Sequence, residues 1–563
     1  MQQLIECVPN FSAGRDPAII RQITEAIESV EGVQLLDVDP GKATNRTVVT
    51  FVGQPEAVVQ AAFLAIQKAG EVIDMRQHTG EHPRMGATDV CPLIPIANIS
   101  MEETVEWARR LGERVGRELE LPIFLYEAAA SRPERQNLAT IRAGEYEGLA
   151  EKLTHPDWHP DFGPARFDAQ RGATVIGARD FLIAYNVNLN TTSVRRANAV
   201  AFDIREKGRV VNNPQTGKPL QGEDGEPLRQ PGLLEGVKAI GWYIEEYGVA
   251  QISMNITDTR RTSLHQAFDA CCSSAQQRGM RVTGSELVGL VPLAVILDAG
   301  RYFLRKQQRS VGVSESELIK IAVKSMGLDE LGPFDPQRKI IEYNLESGSP
   351  ARQNQLISKD LRAFADETAS ESPAPGGGSI SAYVGALGVS LATMVANLSS
   401  HKRGWDDRWE EFSEAAERGQ RLKDLLLRAV DEDTNAFNAI MAAFGLPNTS
   451  AEEKAVRKAA VQAATRQAIE VPYRVMQWSL ESFALIRQMA EQGNPNSVTD
   501  AGVGALCARA AVHGALLNVQ INASGLDDKE YAQTVVAAGN EMAAEADRLE
   551  GEVLAVVWGK IGR

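Results

Sequence analysis

The sequence predicts an α/β front half, built as two mixed-sheet α/β subdomains, followed by an all-α helical bundle. Three features carry that reading. Strand and helix signals alternate up to about residue 330. From Lys359 onwards the β-branched alternation is gone, and there Ala, Leu, Glu, Arg and Gln dominate. A chain of 563 residues is also too long for one ordinary core. The expected division is 1–180 and 181–330 for the two α/β subdomains, 331–358 for a linker and 359–563 for the bundle.

In the first subdomain, Leu4–Val8 and Val33–Val38 are short apolar runs, and Thr47–Val52 is β-branched and ends at Gly53. Ala18–Val30 and Glu56–Ala69 carry helical spacing, Met101–Leu119 is an amphipathic helix begun by Ser100, and Ile123–Tyr126 is another strand. Tyr146–Gly172 is Pro-rich, aromatic and weakly periodic, which marks a binding loop or a linker. In the second, Phe181–Leu189 reads as a strand, Ser193–Lys207 as a helix, and Val237–Tyr243 and Ala250–Ile256 as strands. His265–Arg278 is helical, and Leu287–Val291 with Pro292–Phe303 closes the unit. The Gly/Pro/Gln stretch between Asn212 and Gly232 reads as a surface loop. Gly332-Pro333-Phe334-Asp335-Pro336 and Gly348-Ser349-Pro350 look like a connector. Long helical patterns follow over Trp405–Val430, Asp433–Phe444, Ala451–Ala490 and Ala532–Val557.

A net charge of −15 argues against a nucleic-acid surface and for a small-molecule protein. Five cysteines form no paired C-x-x-C sites and no disulfide framework, which fits a reducing, cytoplasmic compartment. Met1–Cys7 lacks the basic start and apolar run of a signal peptide. Ser379–Ser400 is uncharged but rich in Gly, Ser, Thr and Asn, so a buried, closely packed helix is expected rather than a membrane span. No G-x-G-x-x-G follows a strand, so a dinucleotide fold has no support.

The densest chemistry lies in His78-Thr79-Gly80-Glu81-His82-Pro83-Arg84-Met85-Gly86, which holds two of the seven histidines. Imidazole suits proton transfer at neutral pH. The H-x-x-E-H spacing mimics a zinc motif, which needs both histidines on one continuous helix. Gly80 lies inside that helix and Pro83 biases His82 towards extended geometry, so a shaped loop presenting one histidine is expected, with no metal and His78 a bystander.

The bundle opens with Ser372-Pro373-Ala374-Pro375-Gly376-Gly377-Gly378-Ser379, a glycine turn at a helix start that can aim backbone N–H groups at a ligand. In Val430-Asp431-Glu432-Asp433-Thr434-Asn435-Ala436-Phe437, Asp431 and Asp433 sit roughly 200° apart on a helix and cannot serve one pocket together. Asp433 shares its face with Ala436 and Phe437, so it is expected to face inward with a raised pKa.

With both centres in hand, the chain resembles the formimidoyltransferase-cyclodeaminase family. The similarity rests on Glu6-Cys7-Val8-Pro9-Asn10-Phe11-Ser12, Leu36-Asp37-Val38-Asp39, Thr44-Asn45-Arg46-Thr47-Val48, Gly80–Gly86 and Ile141-Arg142-Ala143-Gly144-Glu145-Tyr146. In the helical half it rests on Ala374–Ser379, Val430-Asp431-x-Asp433 and Asn518-Val519-x-Ile521-Asn522. The resemblance implies transfer of a formimino group from N-formimidoyl-L-glutamate to N5 of tetrahydrofolate, a co-substrate that may carry further glutamates, with no metal. Ring closure to 5,10-methenyltetrahydrofolate and loss of ammonia would follow. The family's transferase histidine falls on His82, which needs a near-neutral pKa to take and return a proton. Asp39 is expected to orient it, and Arg46 and Arg84 to grip substrate carboxylates. The folate segment falls on Gly163–Gly172, where Gly163, Pro164, Phe167 and Gly172 match while Ala165-Arg166 and Asp168–Arg171 depart. The cyclodeaminase acid falls on Asp433, with Gly376, Gly377, Gly378 and Ser379 lining the folate pocket. A homo-oligomer is expected, without nucleic-acid or membrane partners. The alternatives are a single-activity formimidoyltransferase, a methenyltetrahydrofolate cyclohydrolase, or a non-catalytic folate-binding scaffold.

Overall fold

The computed structural model describes residues 3–222, 225–347 and 355–562. The chain forms two compact units, Met1–Ala299 with Ala322–Gly348, and Gly300–Ile321 with Ser349–Arg563.

The first unit holds two sheets. Strands β1 (Leu4–Cys7), β2 (Asn10–Phe11), β3 (Val33–Gly41), β4 (Arg46–Gly53), β5 (Thr88–Ala97), β6 (Ile123–Glu127) and β7 (Thr174–Ala178) make a seven-stranded sheet. β3 pairs β4, β1 and β2 lie between β4 and β5, and these pairings are antiparallel, whereas β5–β7 and β6–β7 are parallel. The mixed sheet is as the sequence predicts, although β5 and β7 carry no strand assignment in the sequence reading. β7 is buried throughout and β5 from Thr88 to Ile94, without the polar alternation that flags a half-exposed strand. Ile5, Cys7, Val49, Phe51, Cys91 and Leu93 pack beneath the helices Pro17–Glu28, Pro55–Val72 and Met101–Glu118. Because strand side chains alternate, the residues between them, including Glu6 and Arg46, project to the opposite face.

Strands β8 (Ile183–Leu189), β9 (Arg209–Val210), β10 (Arg229–Gln230), β11 (Val237–Ile244), β12 (Val249–Ile256) and β13 (Val282–Val288) complete the unit. The second sheet runs β11-β12-β8-β13, all antiparallel. Its strand–helix–strand–strand–helix–strand order repeats that of β1, β3, β4 and β5, so both sheets are built on a ferredoxin-like split βαβ plan. The stretch read as a surface loop is tied down by the β9–β10 pairing and by bridges Asn212–Pro219 and Gln221–Pro227.

The expected linker is ordered in its first part. Helices Pro336–Lys339 and Ile341–Ser347 pack onto the first unit, where Ile341 N donates to Val291 O at 3.1 Å and Asn344 Nδ2 to Leu36 O at 2.6 Å. Residues 348–354 of that stretch lie outside the described residues.

Long helices build the second unit: Gly377–Ser400, Trp409–Phe444, Ala451–Gln492, Val498–Ser524 and Lys529–Lys560. Small residues let them approach closely, since a Cβ on Gly388 would lie 2.9 Å from Gly504 O and one on Gly385 2.8 Å from Ser479 Oγ. The uncharged segment is therefore a tightly packed helix. Residues expected in the second α/β subdomain also belong here. Val311 N donates to Ser413 Oγ at 3.0 Å and Asn397 Nδ2 to Gly312 O at 2.8 Å. Trp409–Phe444 runs unbroken through Asp431-Glu432, where the sequence pattern leaves a gap, because no Gly or Pro lies between Val430 and Phe444. Pro472 sits inside Ala451–Gln492 and has no N–H for the carbonyl of Ala468. Asn522 Nδ2 donates to that carbonyl at 2.8 Å, restoring the missing bond from the neighbouring helix.

Two stability predictions follow from these environments. Asn522→Ala leaves the Ala468 carbonyl short of a donor and is expected to cost about 1–3 kcal/mol in denaturant unfolding of the full chain. The loss should shrink in a Pro472→Ala background, where the helix supplies its own N–H; equal losses in both backgrounds would refute the compensation. Glu6 is 4% exposed, and burial raises its carboxyl from 4.5 to about 7, with Arg179 partly offsetting the rise. A raised carboxyl favours folding below its unfolded pKa and loses that contribution as pH climbs through the folded one. Glu6→Gln should therefore stabilise the protein at pH 8 by on the order of 3 kcal/mol and leave stability near pH 4 unchanged.

Candidate active sites

Loop 78–86 has no helical turn, so the zinc-like spacing does not place its histidines side by side. A Cβ on Gly80 would fall 2.1 Å from Thr44 O, which makes glycine obligatory where the loop crosses the β3–β4 turn. Asn45 adopts a left-handed backbone (φ 47°) that Asn tolerates, and its Nδ2 donates to Thr79 O at 3.0 Å. The Asn45 carbonyl accepts from His78 Nε2 at 2.8 Å, which leaves His78 Nδ1 to accept from Arg84 Nε at 3.3 Å. His78 is thus a fixed link in this network, not a bystander.

His82 is half-buried, and its Nδ1 donates to the Pro83 carbonyl at 2.7 Å, so Nε2 carries the lone pair. Burial, then the guanidiniums of Arg46 and Arg142, hold its pKa down to about 3. The imidazole is neutral at physiological pH, which replaces the expected near-neutral pKa. The carboxylate that shapes its surroundings is Asp89, a residue the sequence reading passed over. Asp89 is fully buried and binds Arg46 Nη1 and Arg142 Nη2, and it accepts from Met85 N at 2.9 Å. Burial pushes this carboxyl up, but Arg142 and Arg46 outweigh it and hold the group at about 2. The segment Thr88-Asp89-Val90-Cys91 carries the available signal, an acid inside an otherwise apolar strand.

The expected Asp39–His82 pairing is not formed. Asp39 Oδ2 instead accepts from Gly289 N at 2.9 Å and lies 3.6 Å from Lys339 Nζ. Its strand β3 is the edge furthest from β5, and it faces the second subdomain. Arg46 is no free grip either, because Nη1 is held by Asp89 and Nε donates to Asn10 Oδ1 at 3.0 Å. Arg84 is likewise occupied. Nη1 donates to Glu145 Oε2 at 3.1 Å and Glu147 Oε2 at 2.8 Å, and Nη2 to Glu147 Oε1 at 2.6 Å. Around this cluster opens a cavity of about 510 Å³ lined by His78, Thr79, Gly80, Arg84, Gly144, Glu145 and Glu147.

Gly163 and Gly172, matched to a folate segment, owe their identity to the backbone. Both have left-handed φ (80° and 73°), and an added Cβ would lie 2.2 Å from Leu121 O and from Met85 O, respectively. Phe167 rests against the Tyr146 ring at 5.4 Å and joins the small core around Met85, with Pro164 in the adjoining loop. This tract braces the His82 loop from behind.

The second sheet adds a polar array absent from the sequence reading. Gln251 Nε2 donates to Asn188 Oδ1 at 2.8 Å and Glu286 Oε1 at 3.0 Å, Asn186 Nδ2 donates to Glu286 Oε1 at 2.9 Å, and Trp242 Nε1 to Gln251 Oε1 at 3.0 Å. Asn188 and Gln251 are fully buried. Their signal was the alternation Asn186-Val187-Asn188, polar at every second position of a central strand.

In the helical unit the glycine turn and the acidic helix meet. A Cβ on Gly378 would stand 2.1 Å from Asp433 Oδ1, so the glycine lets the carboxylate seat against the helix start. Ser379 Oγ donates to Asp433 Oδ2 at 3.0 Å and approaches Val430 O at 2.9 Å and Thr434 Oγ1 at 3.2 Å. Gly376 is the N-cap of that helix, and a Cβ on Gly377 would face Asn518 Nδ2 at 3.3 Å. Burial raises the Asp433 carboxyl above the usual range, with Ser379 partly offsetting the rise. Asp431 points elsewhere, accepting from Leu356 N at 2.6 Å, as the helix phase requires.

Against this geometry, three family models match in chain order. The Formiminotransferase domain, N-terminal subdomain, covers residues 4–179, the Formiminotransferase domain 184–346, and the Formiminotransferase-cyclodeaminase model 360–541. The formimidoyltransferase-cyclodeaminase of Rattus norvegicus is 43% identical over 533 residues, 95% of each chain, and that of Gallus gallus 42% identical over 557 residues, 99% of each. The glutamate formimidoyltransferase of Streptococcus pyogenes serotype M1 is 41% identical over 305 residues, which are 54% of this chain and 94% of that protein. The chain belongs to the formimidoyltransferase-cyclodeaminase family.

Proposed function

We propose that the chain moves a formimino group from N-formimidoyl-L-glutamate to N5 of tetrahydrofolate. It then closes the product to 5,10-methenyltetrahydrofolate with release of ammonia. The observation that carries this reading is that one chain, matched along 95% of its length to a formimidoyltransferase-cyclodeaminase, holds two separate proton-transfer centres. One is a neutral imidazole with a free Nε2 and the other a buried carboxyl of raised pKa.

In the first step, N5 attacks the formimidoyl carbon while His82 Nε2 accepts the N5 proton. The proton passes to the departing glutamate nitrogen as the C–N bond breaks, and the imidazole returns to its neutral state. A base held at about 3 is a weak acceptor in the free protein. A negative charge of the bound substrate near the ring would strengthen it, because an anion favours the protonated imidazole. Asp39, held by Gly289 N and close to Lys339, fits a role in fastening β3 to the second subdomain.

In the second step, N10 attacks the same carbon and the Asp433 carboxyl protonates the departing nitrogen, so that ammonia leaves; the Asp433 carboxylate then takes up the proton that N10 loses, which restores the acid. The raised pKa keeps a proton available, and Ser379 fixes the carboxyl's orientation. Gly378 lets the acid seat against the helix start, and Gly376 and Gly377 keep side chains away beside it.

Two substitutions separate the steps. His82→Gln should lower formimino transfer by about 10²–10⁴-fold, while ammonia release from supplied 5-formimidoyltetrahydrofolate stays intact. Asp433→Asn should do the reverse. Loss of both activities from either change, or wild-type ammonia release by Asp433→Asn, would overturn the assignment. A spectroscopic assay for methenyltetrahydrofolate with formimidoylglutamate and tetrahydrofolate tests the whole sequence and separates it from a non-catalytic folate binder.

A further inference from the structure

We infer that Glu145 and Glu147 are internal stand-ins for a substrate carboxylate: they hold Arg84 while the cavity is empty and give it up when the glutamate end of the donor enters. The inference rests on the function proposed above and adds how that site is kept.

Arg84 is 8% exposed, and a guanidinium so buried must be paired. Its partners differ from it in one respect. Glu145 is 42% exposed and Glu147 64%, so each carboxylate can turn out to water, whereas the arginine cannot. An exposed carboxylate regains its hydration on leaving, so the cost of opening the pair falls on the buried Arg84, and an incoming carboxylate offsets it. Arg84 is fixed without them. Nε is held by His78, the Arg84 carbonyl accepts from Tyr146 N at 2.9 Å, and the next residue's N–H is bound by Asp89. The carboxylates, in contrast, sit on a turn with Gly144 at φ 88° and Glu145 at φ 52°, and the left-handed region is one that a residue with a side chain such as Glu145 rarely adopts.

The cavity's charge makes the same point. As it stands, one cation and two anions line it, so an incoming carboxylate meets net repulsion. Exchanging one carboxylate for another at the Arg84 fork leaves the charge balance at the guanidinium unchanged and preserves its bidentate geometry. A volume of about 510 Å³ accommodates a ligand the size of a glutamate derivative. An internal competitor lowers apparent affinity by the fraction of time it occupies the fork, so its removal should tighten binding.

The test is steady-state transfer by the full chain carrying Glu147→Gln or Glu147→Asp. Glu147→Gln should lower KM for N-formimidoyl-L-glutamate about tenfold, with the change in KM and not in kcat, while Glu147→Asp, which keeps the carboxylate, should retain the wild-type KM. An unchanged or higher KM in Glu147→Gln would overturn the exchange. Calorimetry with glutarate, a simple dicarboxylate, separates this idea from the function it rests on. Tighter glutarate binding by Glu147→Gln without formimino transfer by either protein would keep the exchange and remove the assigned substrate. Equal glutarate affinity in variant and wild type would remove the exchange even if transfer is observed.

Discussion

The Asp89 carboxylate is the interaction on which the front half's chemistry depends. It is fully buried on β5 and joins four parts of the chain: its own strand, Arg46 at the start of β4, Met85 at the end of loop 78–86, and Arg142 before the Glu145 helix. A lone buried carboxylate would be too costly to keep ionised; two guanidiniums offset its desolvation and hold it at about 2. Removing one partner of such a buried set costs about 3–5 kcal/mol, because the others are left uncompensated. The same cations set the state of His82. Their field and its burial keep the imidazole neutral, while Pro83 O accepts the hydrogen bond from Nδ1–H and leaves Nε2 as the reactive nitrogen.

The helical unit solves a related problem with different material. A carboxyl that must keep a proton needs burial without a neighbouring cation, and Asp433 has Ser379 and Thr434 beside it in place of an arginine. Gly378 makes this possible, since any side chain there would displace the carboxyl. One chain thus holds a carboxylate pinned ionised by two arginines and a second raised towards its protonated form by burial.

Much of this was legible in the sequence wherever the signal is local. The fold class follows from strand alternation giving way to helical spacing, and Gly80 and Pro83 correctly rule out a helix through His78 and His82. The opposed directions of Asp431 and Asp433 follow from helix phase alone, and Leu356 and Ser379 occupy those two directions. What the sequence alone could not show depends on partners distant in the chain. Arg46 and Arg84 look like free grips until Asp89, Glu145 and Glu147 are brought to them by folding. Asp39 looks like the carboxylate behind the histidine until β3 proves to be an edge strand. Gly163 and Gly172 match a ligand-binding pattern, but their left-handed backbones against Leu121 O and Met85 O explain the glycines without a ligand. The pKa of His82 could not be read at all, because it is set by burial and by arginines at positions 46 and 142.

Burial and the Asp89–Arg46–Arg142 cluster hold His82 as a neutral base with its proton on Nδ1. Selective ¹⁵N labelling of the seven histidines, with a pH titration of the full chain followed by NMR, tests it most directly. The resonance lost in His82→Gln should show an Nδ1–H neutral ring that stays uncharged from pH 8 down to at least pH 5. A His82 ring that titrates near the ordinary value of 6.5, or carries its proton on Nε2, would contradict it.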